Sequence, residues 1–188
     1  MGRIVVSENA SVDGVVRVPT VEDGFSQDGW LGLISTRDRE AWAKLLLDEA
    51  LAASALLLGR RTDEWLATRW LPRTGECADR LNGMPKYVVS STIEKARWGN
   101  AAIIGGDVVN GVARLKEELD GDIVVYGSSR LVPTLMEHRL VDELRLMIYP
   151  VVLGAGDRLF SETGGSQLLR LVRTGTVGDS LVSLTYQY

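Results

Sequence analysis

The chain has 188 residues, enough for one hydrophobic core and not clearly for two. Its 45% hydrophobic and 24% charged content is that of an ordinary globular domain, and a net charge of −4 lacks the basic excess that general nucleic-acid binding needs. One cysteine, Cys77, and one histidine, His138, exclude an internal disulfide and a His/Cys zinc site, so no metal is expected, although an all-carboxylate site stays formally open.

Arg3–Ser7 reads as a first strand, without the charged and apolar regions of a signal peptide. A long Gly/Asp loop follows through SVDG and EDGFSQDGWLG, and loops of that length are most often functional. Ser35, with Asp38 three residues on, marks a capped helix start, and Ala41, Trp42, Leu45 and Leu46 form its apolar face. ASALLLG is a continuous apolar strand of the kind buried on both sides, and a second helix opens at RRTDEWLATRW. The span from Leu71 to Pro85, rich in Pro and Gly, reads as a surface loop.

KYVVS and AAIIGG are two further strands. Asp107 caps a helix carrying Val108, Val112, Leu115 and Leu119, and Gly121 stops it. DIVVYG is again a buried strand. SSRLVPTLMEHRL is a helix with Pro133 in its first turn, and DELRLMIYP is a strand after it. The tail alternates with period two around Gly178–Asp179, which predicts an antiparallel hairpin at a sheet edge. Strand–helix alternation closed by a hairpin gives one α/β domain, residues 1–188, around a mostly parallel sheet. No apolar run reaches membrane-spanning length, and a cytoplasmic setting with no membrane partner is expected.

Ligands of such sheets bind beyond the carboxyl ends of the strands. Three apolar strands deliver polar residues there: Gly59-Arg60-Arg61-Thr62, Ser90-Ser91-Thr92 and Gly127-Ser128-Ser129-Arg130. Helix starts near Thr62 and Ser129 would aim free N–H groups at an anion, and guanidiniums with small hydroxyls are the chemistry of phosphate binding. Solvated strand ends and helix caps use the same residues, so each segment alone has a plain structural reading as well. No Walker loop or G-x-G-x-x-G is present.

These motifs, in this order, resemble the dihydrofolate-reductase-like superfamily. They are most similar to small proteins like the C-terminal reductase domain of the riboflavin-biosynthesis deaminase–reductase. The carriers are SVDG, LLLGRRTDEW, PKYVVSST, DIVVYGSSRLVPTLMEHRLVDEL and PVVLGAGDRLF. The resemblance implies a three-layer α/β fold with a mixed, mostly parallel sheet and a C-terminal antiparallel hairpin. It implies NADPH as cofactor. Arg60, Arg61 and Thr62, with Ser90, Ser91 and Thr92, would hold the adenosine ribose and its 2′-phosphate. Gly127, Ser128, Ser129, Arg130 and Leu131 would wrap the pyrophosphate at a helix N-terminus. The chain also departs from the pattern. Arg39 stands where folate reducers carry an acid, Tyr126 where riboflavin reductases carry one, and Leu66 at another expected Asp.

The function expected is an NADPH-dependent reductase of a small planar C=N or C=O compound. Two alternatives are aminouracil reduction in riboflavin biosynthesis and a non-catalytic NADP(H) sensor. Asp13 and Tyr126 are candidate catalytic groups, although Asp13-Gly14 is also a turn signal. Trp30 and Trp65 are candidate substrate contacts, although tryptophans more often pack in cores. Apolar alternation on the tail (Val182, Leu184, Tyr186 and Tyr188 on one face) suggests an edge strand with a partner, and hence a homodimer.

Overall fold

The computed structural model describes residues 1–16, 29–160 and 166–188, without the side chains of Trp30 and Leu31. Most of the expected EDGFSQDGWLG loop lies outside the described residues, as does the side chain of Trp30.

The elements run β1 (Arg3–Ser11), α1 (Thr36–Ala52), β2 (Ala53–Gly59), α2 (Arg60–Trp70), α3 (Glu76–Gly83), β3 (Lys86–Val89) and β4 (Ala101–Ile104). They continue with α4 (Val108–Glu118), β5 (Asp122–Tyr126), α5 (Val132–Glu137), β6 (Val141–Tyr149), β7 (Arg170–Val177) and β8 (Leu181–Gln187). One eight-stranded sheet takes the order β4-β3-β2-β5-β1-β6-β8-β7. Pairing is parallel from β4 through β6 and antiparallel at β8 and β7. The expected mixed sheet with a closing hairpin is therefore present, and β7 is an edge.

Strand alternation divides the core into two layers. Ile4, Val6, Leu57, Ile123 and Val125 face α4 and α5, packing on Val112, Leu115, Val132 and Leu135. Val5, Leu56, Leu58 and Val124 face the other helices, packing on Ala50, Ala67, Leu81 and Trp98. All of these residues are under about a tenth exposed, so the central strands are covered on both faces, as their unbroken apolar runs require.

Four details differ from the sequence reading. β1 continues past Ser7 to Ser11, because β6 keeps pairing with it through Tyr149. Leu71–Pro85 contains α3, whose Ala78 and Leu81 are buried and whose Arg80 donates to the carbonyls of Ala50 and Ala53. Tertiary burial there overrides the Pro and Gly punctuation. The expected long helix after β5 shrinks to Val132–Glu137, with Pro133 in its first turn as foreseen. On α1, Leu45 is exposed, because the helix flanks a cleft and buries little besides Asp38 and Ala50.

The Ser35 cap is present: its hydroxyl accepts from the Asp38 N–H. The Asp38 carboxylate also accepts from the N–H groups of Asp179 and Ser180 and from the Ser180 hydroxyl. One buried acid thus ties the start of α1 to the β7–β8 turn, and these donors hold its carboxyl well below the usual range.

Candidate active site

The site begins with two strand ends. β5 pairs with β1 only as far as Ser7 opposite Tyr126, whereas β6 follows β1 to Ser11. Past Ser7, β1 therefore borders an opening where β5 has turned away. Gly127 and Ser128 make that turn with φ of 54° and 61°. A side chain on Gly127 would be strained and would press on the Thr62 methyl at 3.3 Å.

The two polar segments are stitched together over this opening. The Ser128 N–H donates to the Thr62 hydroxyl at 3.0 Å, and the Gly59 N–H donates to the Ser128 hydroxyl at 2.9 Å. Thr62 and Ser128 thus fix the geometry of the β2–α2 and β5–α5 connections to each other. Gly59 offers no side-chain cap, so the first-turn N–H groups of α2 are left for solvent or an anion. Arg60 reaches Glu64 at 3.5 Å across an exposed pair, too weak a contact to hold the guanidinium away from a phosphate. The expected second helix N-terminus is not comparable, since α5 is only six residues long and begins at Val132, beyond Ser129.

A cavity of about 1030 Å³ runs along this edge. Its polar arm is lined by Gly59, Arg60, Arg61, Thr62, Ser90, Ser91 and the turn from Gly127 to Leu131. Thr92 is not among the lining residues; its N–H and the Ser90 hydroxyl bond each other at 3.2 Å. The other arm is aromatic, walled by Trp42, Trp65, Trp70, Trp98 and Tyr126. Arg69 lies over the Trp65 ring at 4.3 Å and Arg73 over Trp70 at 5.0 Å. Trp42 donates its indole N–H to the Asn9 side chain at 3.3 Å, which fixes the ring at the mouth of this arm.

The two residues singled out for catalysis have different surroundings. Asp13 does not line the cavity. Its carboxylate accepts from the Ser11 hydroxyl and the N–H groups of Leu153 and Gly154, and its pKa is lowered to about 2, chiefly by Ser11. It ties the turn after β1 to the 151–158 loop, and at neutral pH it has no proton to give. Tyr126 does line the cavity, and its hydroxyl is buried near the Glu49 carboxylate. Burial, then the charge of Glu49, holds this phenol neutral far above its usual range. Beneath it Arg145 donates to Glu49, Asp122 and Glu143, and Arg3 joins through Glu143.

Glu8 is a cavity residue that the sequence reading passed over. It is 8% exposed, yet it lines the cavity at the fork between β1 and β5. Oε1 accepts from the Asn9 N–H at 3.1 Å, and Oε2 is buried with no partner. Burial pushes its pKa up to about 8, so the group is mostly a neutral acid at pH 7. A signal was present: Ile4, Val6 and Ala10 put apolar side chains on one face of β1, and Glu8 alone breaks that face with an acid. Among the described residues no group of His, Cys, Asp and Glu could hold a metal ion. Nor is any helix long and apolar enough to cross a membrane.

Comparison with known proteins matches this architecture. Residues 3–183 match the family described as the RibD C-terminal domain. The chain is 36% identical over 108 residues to the uncharacterized protein YyaP of Bacillus subtilis, a stretch covering 57% of each chain. It thus spans little more than half the length of that relative. A crystal structure of a protein assigned to riboflavin biosynthesis in Shewanella sp. PV-4 superposes with a TM-score of 0.76 at 21% identity. That superposition covers 100% of this chain and 98% of the other. Dihydrofolate reductase from Enterococcus faecalis, complexed with NADP(H) and RAB-propyl, superposes with a TM-score of 0.62 at 16% identity, over 98% and 95% of the two chains. These likenesses establish the dihydrofolate-reductase-like fold, and with the match across nearly all its residues, the chain belongs to the RibD C-terminal domain family.

Proposed function

We propose that this protein is an NADPH-dependent reductase of a small planar compound carrying a C=N or C=O bond. One observation carries the reading: a single cavity is lined both by groups of phosphate-binding character and by aromatic rings, and the strand fork at Glu8 lies on its wall. The polar arm suits a dinucleotide phosphate, because first-turn N–H groups of α2, the Ser90 and Ser91 hydroxyls and two guanidiniums converge there. A bare ribose hydroxyl has no use for paired arginines, whereas a 2′-phosphate does. When bound, the cofactor supplies the hydride. The chain positions it, shapes the aromatic arm for the acceptor and keeps water out.

Aminouracil reduction of the riboflavin type is the second reading, favoured by the family match. Against it stands Tyr126, a buried neutral phenol at the position where the family pattern has an acid. A thermal-shift titration tests the proposal. At one hundred times its dissociation constant, a ligand of the folded state stabilises by about 2.7 kcal/mol. NADPH should reach that shift at lower concentration than NADH, and equal titrations would refute the 2′-phosphate assignment. Steady oxidation of NADPH by a panel of imines and carbonyls separates an enzyme from a sensor.

A further inference from the structure

We propose that Glu8 is the general acid of this site: its Oε2–H delivers the proton that completes reduction of the C=N or C=O bond. The inference rests on the reductase reading above and adds to it the missing proton source.

The geometry isolates Glu8 from every other acid of the cavity. Among the described residues lining it, only Glu8 and Asp157 carry carboxyl groups, and Asp157 is exposed. Glu8 is the first residue of β1 beyond its last β5 partner, and it lines the cavity there beside both the polar and the aromatic side chains. Its two oxygens are already distinguished. Oε1 is engaged by the Asn9 N–H, and Asn9 is held in turn by the Trp42 indole. Oε2 is buried and has no protein partner. A buried polar atom left unpaired is costly, and such atoms in native proteins call for a specific explanation. A ligand acceptor arriving in the cavity would supply one. An imine nitrogen or carbonyl oxygen accepts from an acid O–H, so either acceptor would satisfy the orphan atom.

The charged and titratable groups around the cavity leave this acid neutral. Among the described residues they are Arg60, Arg61 and Arg69 on α2, Arg73 just after it, Tyr126 on β5, Arg130 in the turn after it, Tyr149 on β6 and Asp157 in the loop beyond. No Coulomb interaction with any of them is among the causes of the shift; burial raises the pKa to about 8, and the Asn9 N–H only partly opposes it. The proton balance is simple. The O–H bond of Glu8 breaks as the π electron pair settles on nitrogen or oxygen, and a new N–H or O–H bond forms there. The hydride, carrying both electrons, would come from NADPH, whose C–H bond would break as a new C–H bond forms at the substrate carbon, and the carboxylate left behind would regain a proton from water.

The test compares wild type with Glu8→Gln, which keeps the size and hydrogen-bonding capacity of a neutral acid and lacks only a transferable proton. Infrared spectroscopy of the free protein across the pH range should show a protonated carboxyl band that is absent in Glu8→Gln and titrates near pH 8. NADPH binding, followed by quenching of tryptophan fluorescence, should persist in the variant. With phenanthrenequinone and the cyclic imine dihydroisoquinoline as probes, kcat should fall by roughly 10²–10⁴-fold in Glu8→Gln. The wild-type rate should decline above about pH 8, and the variant should lack that limb. A carboxyl band that titrates near the ordinary 4.5 would overturn the proposal. So would wild-type turnover matched by Glu8→Gln at every pH, which would leave the reductase reading standing. Failure of NADPH to bind would remove the reductase reading and the acid's role together.

Discussion

The burial of Glu8 should be visible in stability alone, without any substrate. In the unfolded chain its carboxyl ionises near 4.5, and in the folded protein near 8. Between those values the folded state binds more protons than the unfolded state, so stability falls as pH rises. The contribution is whole below pH 4.5, erodes through the interval, and levels off above pH 8. At about 1.4 kcal/mol per pH unit, the interval from 4.5 to 7 amounts to roughly 3 kcal/mol, and the full interval to about 8 to roughly 5. Glu8→Gln removes the ionisation but keeps the shape. It should therefore match wild type near pH 4.5 and exceed it increasingly up to about pH 8. For a chain of this length each kcal/mol moves Tm by about 2–4 °C, so the gap should be of order 10 °C at pH 7. Thermal denaturation of both proteins over that range is the assay, and a Tm difference that does not change with pH would refute the reasoning.

Arg60→Ala should weaken NADPH far more than NADH in a binding titration, by roughly tenfold for the loss of one charged hydrogen bond of about 1.5 kcal/mol. Equal losses would make Arg60 a residue of the fold. Asp13→Asn should lower Tm at neutral pH, and that difference should shrink as pH falls toward about 2, where the wild-type carboxylate itself protonates. A collapse of turnover without a change in Tm would instead give Asp13 a chemical role. We further propose a homodimer through the β7 edge, where Leu171 and Val172 are exposed; Val182, on β8, lies one strand in from that edge and not on an edge strand as expected. Light scattering should give the dimer mass and Leu171→Lys should shift it toward monomer; a monomeric wild type at micromolar concentration would refute it.

Much of the fold was legible because pattern and packing agree. ASALLLG is apolar throughout because both sheet faces are covered, and the switch to charge at Arg60 marks the helix start that the structure shows. The tail hairpin followed from period-two alternation around Gly178. What was missed depends on long-range contacts. α3 is held by Arg80 reaching the end of α1, a pairing no local window contains. The short α5 follows from the chain leaving β5 through two positive-φ residues. Most of the polar arm could be named from segments that end strands, since strand ends are where such sheets bind ligands. Glu8 could not, because attention to strand ends overlooks a strand that outlasts its neighbour. Only the register shows that β5 stops at Tyr126 while β1 goes on.

The same floor explains why an acid would sit badly at position 126. Glu49, Asp122 and Glu143 already share Arg145 and Arg3, three carboxylates to two guanidiniums, with Arg145 donating to each of the three. A carboxylate at position 126 would be a fourth, buried beside Glu49, with no cation left to pair with it. Such a group either protonates or costs several kcal/mol. A phenol avoids that conflict by staying neutral, which burial and Glu49 together enforce. It then offers a diaminopyrimidine only one donor and a weak acceptor, where a carboxylate would accept from both amino groups. Exchanging a charged for a neutral hydrogen bond loses about 1–2 kcal/mol, on the order of tenfold in affinity. Reduction of the ribosylaminopyrimidine intermediate should therefore be slow beside that of an uncharged heteroaromatic or carbonyl compound. Tyr126→Glu should not rescue it, because the new carboxyl would be neutral in this setting. Steady-state assays of both proteins on both kinds of substrate decide the matter, and efficient turnover of the riboflavin intermediate by the wild type would reverse the assignment.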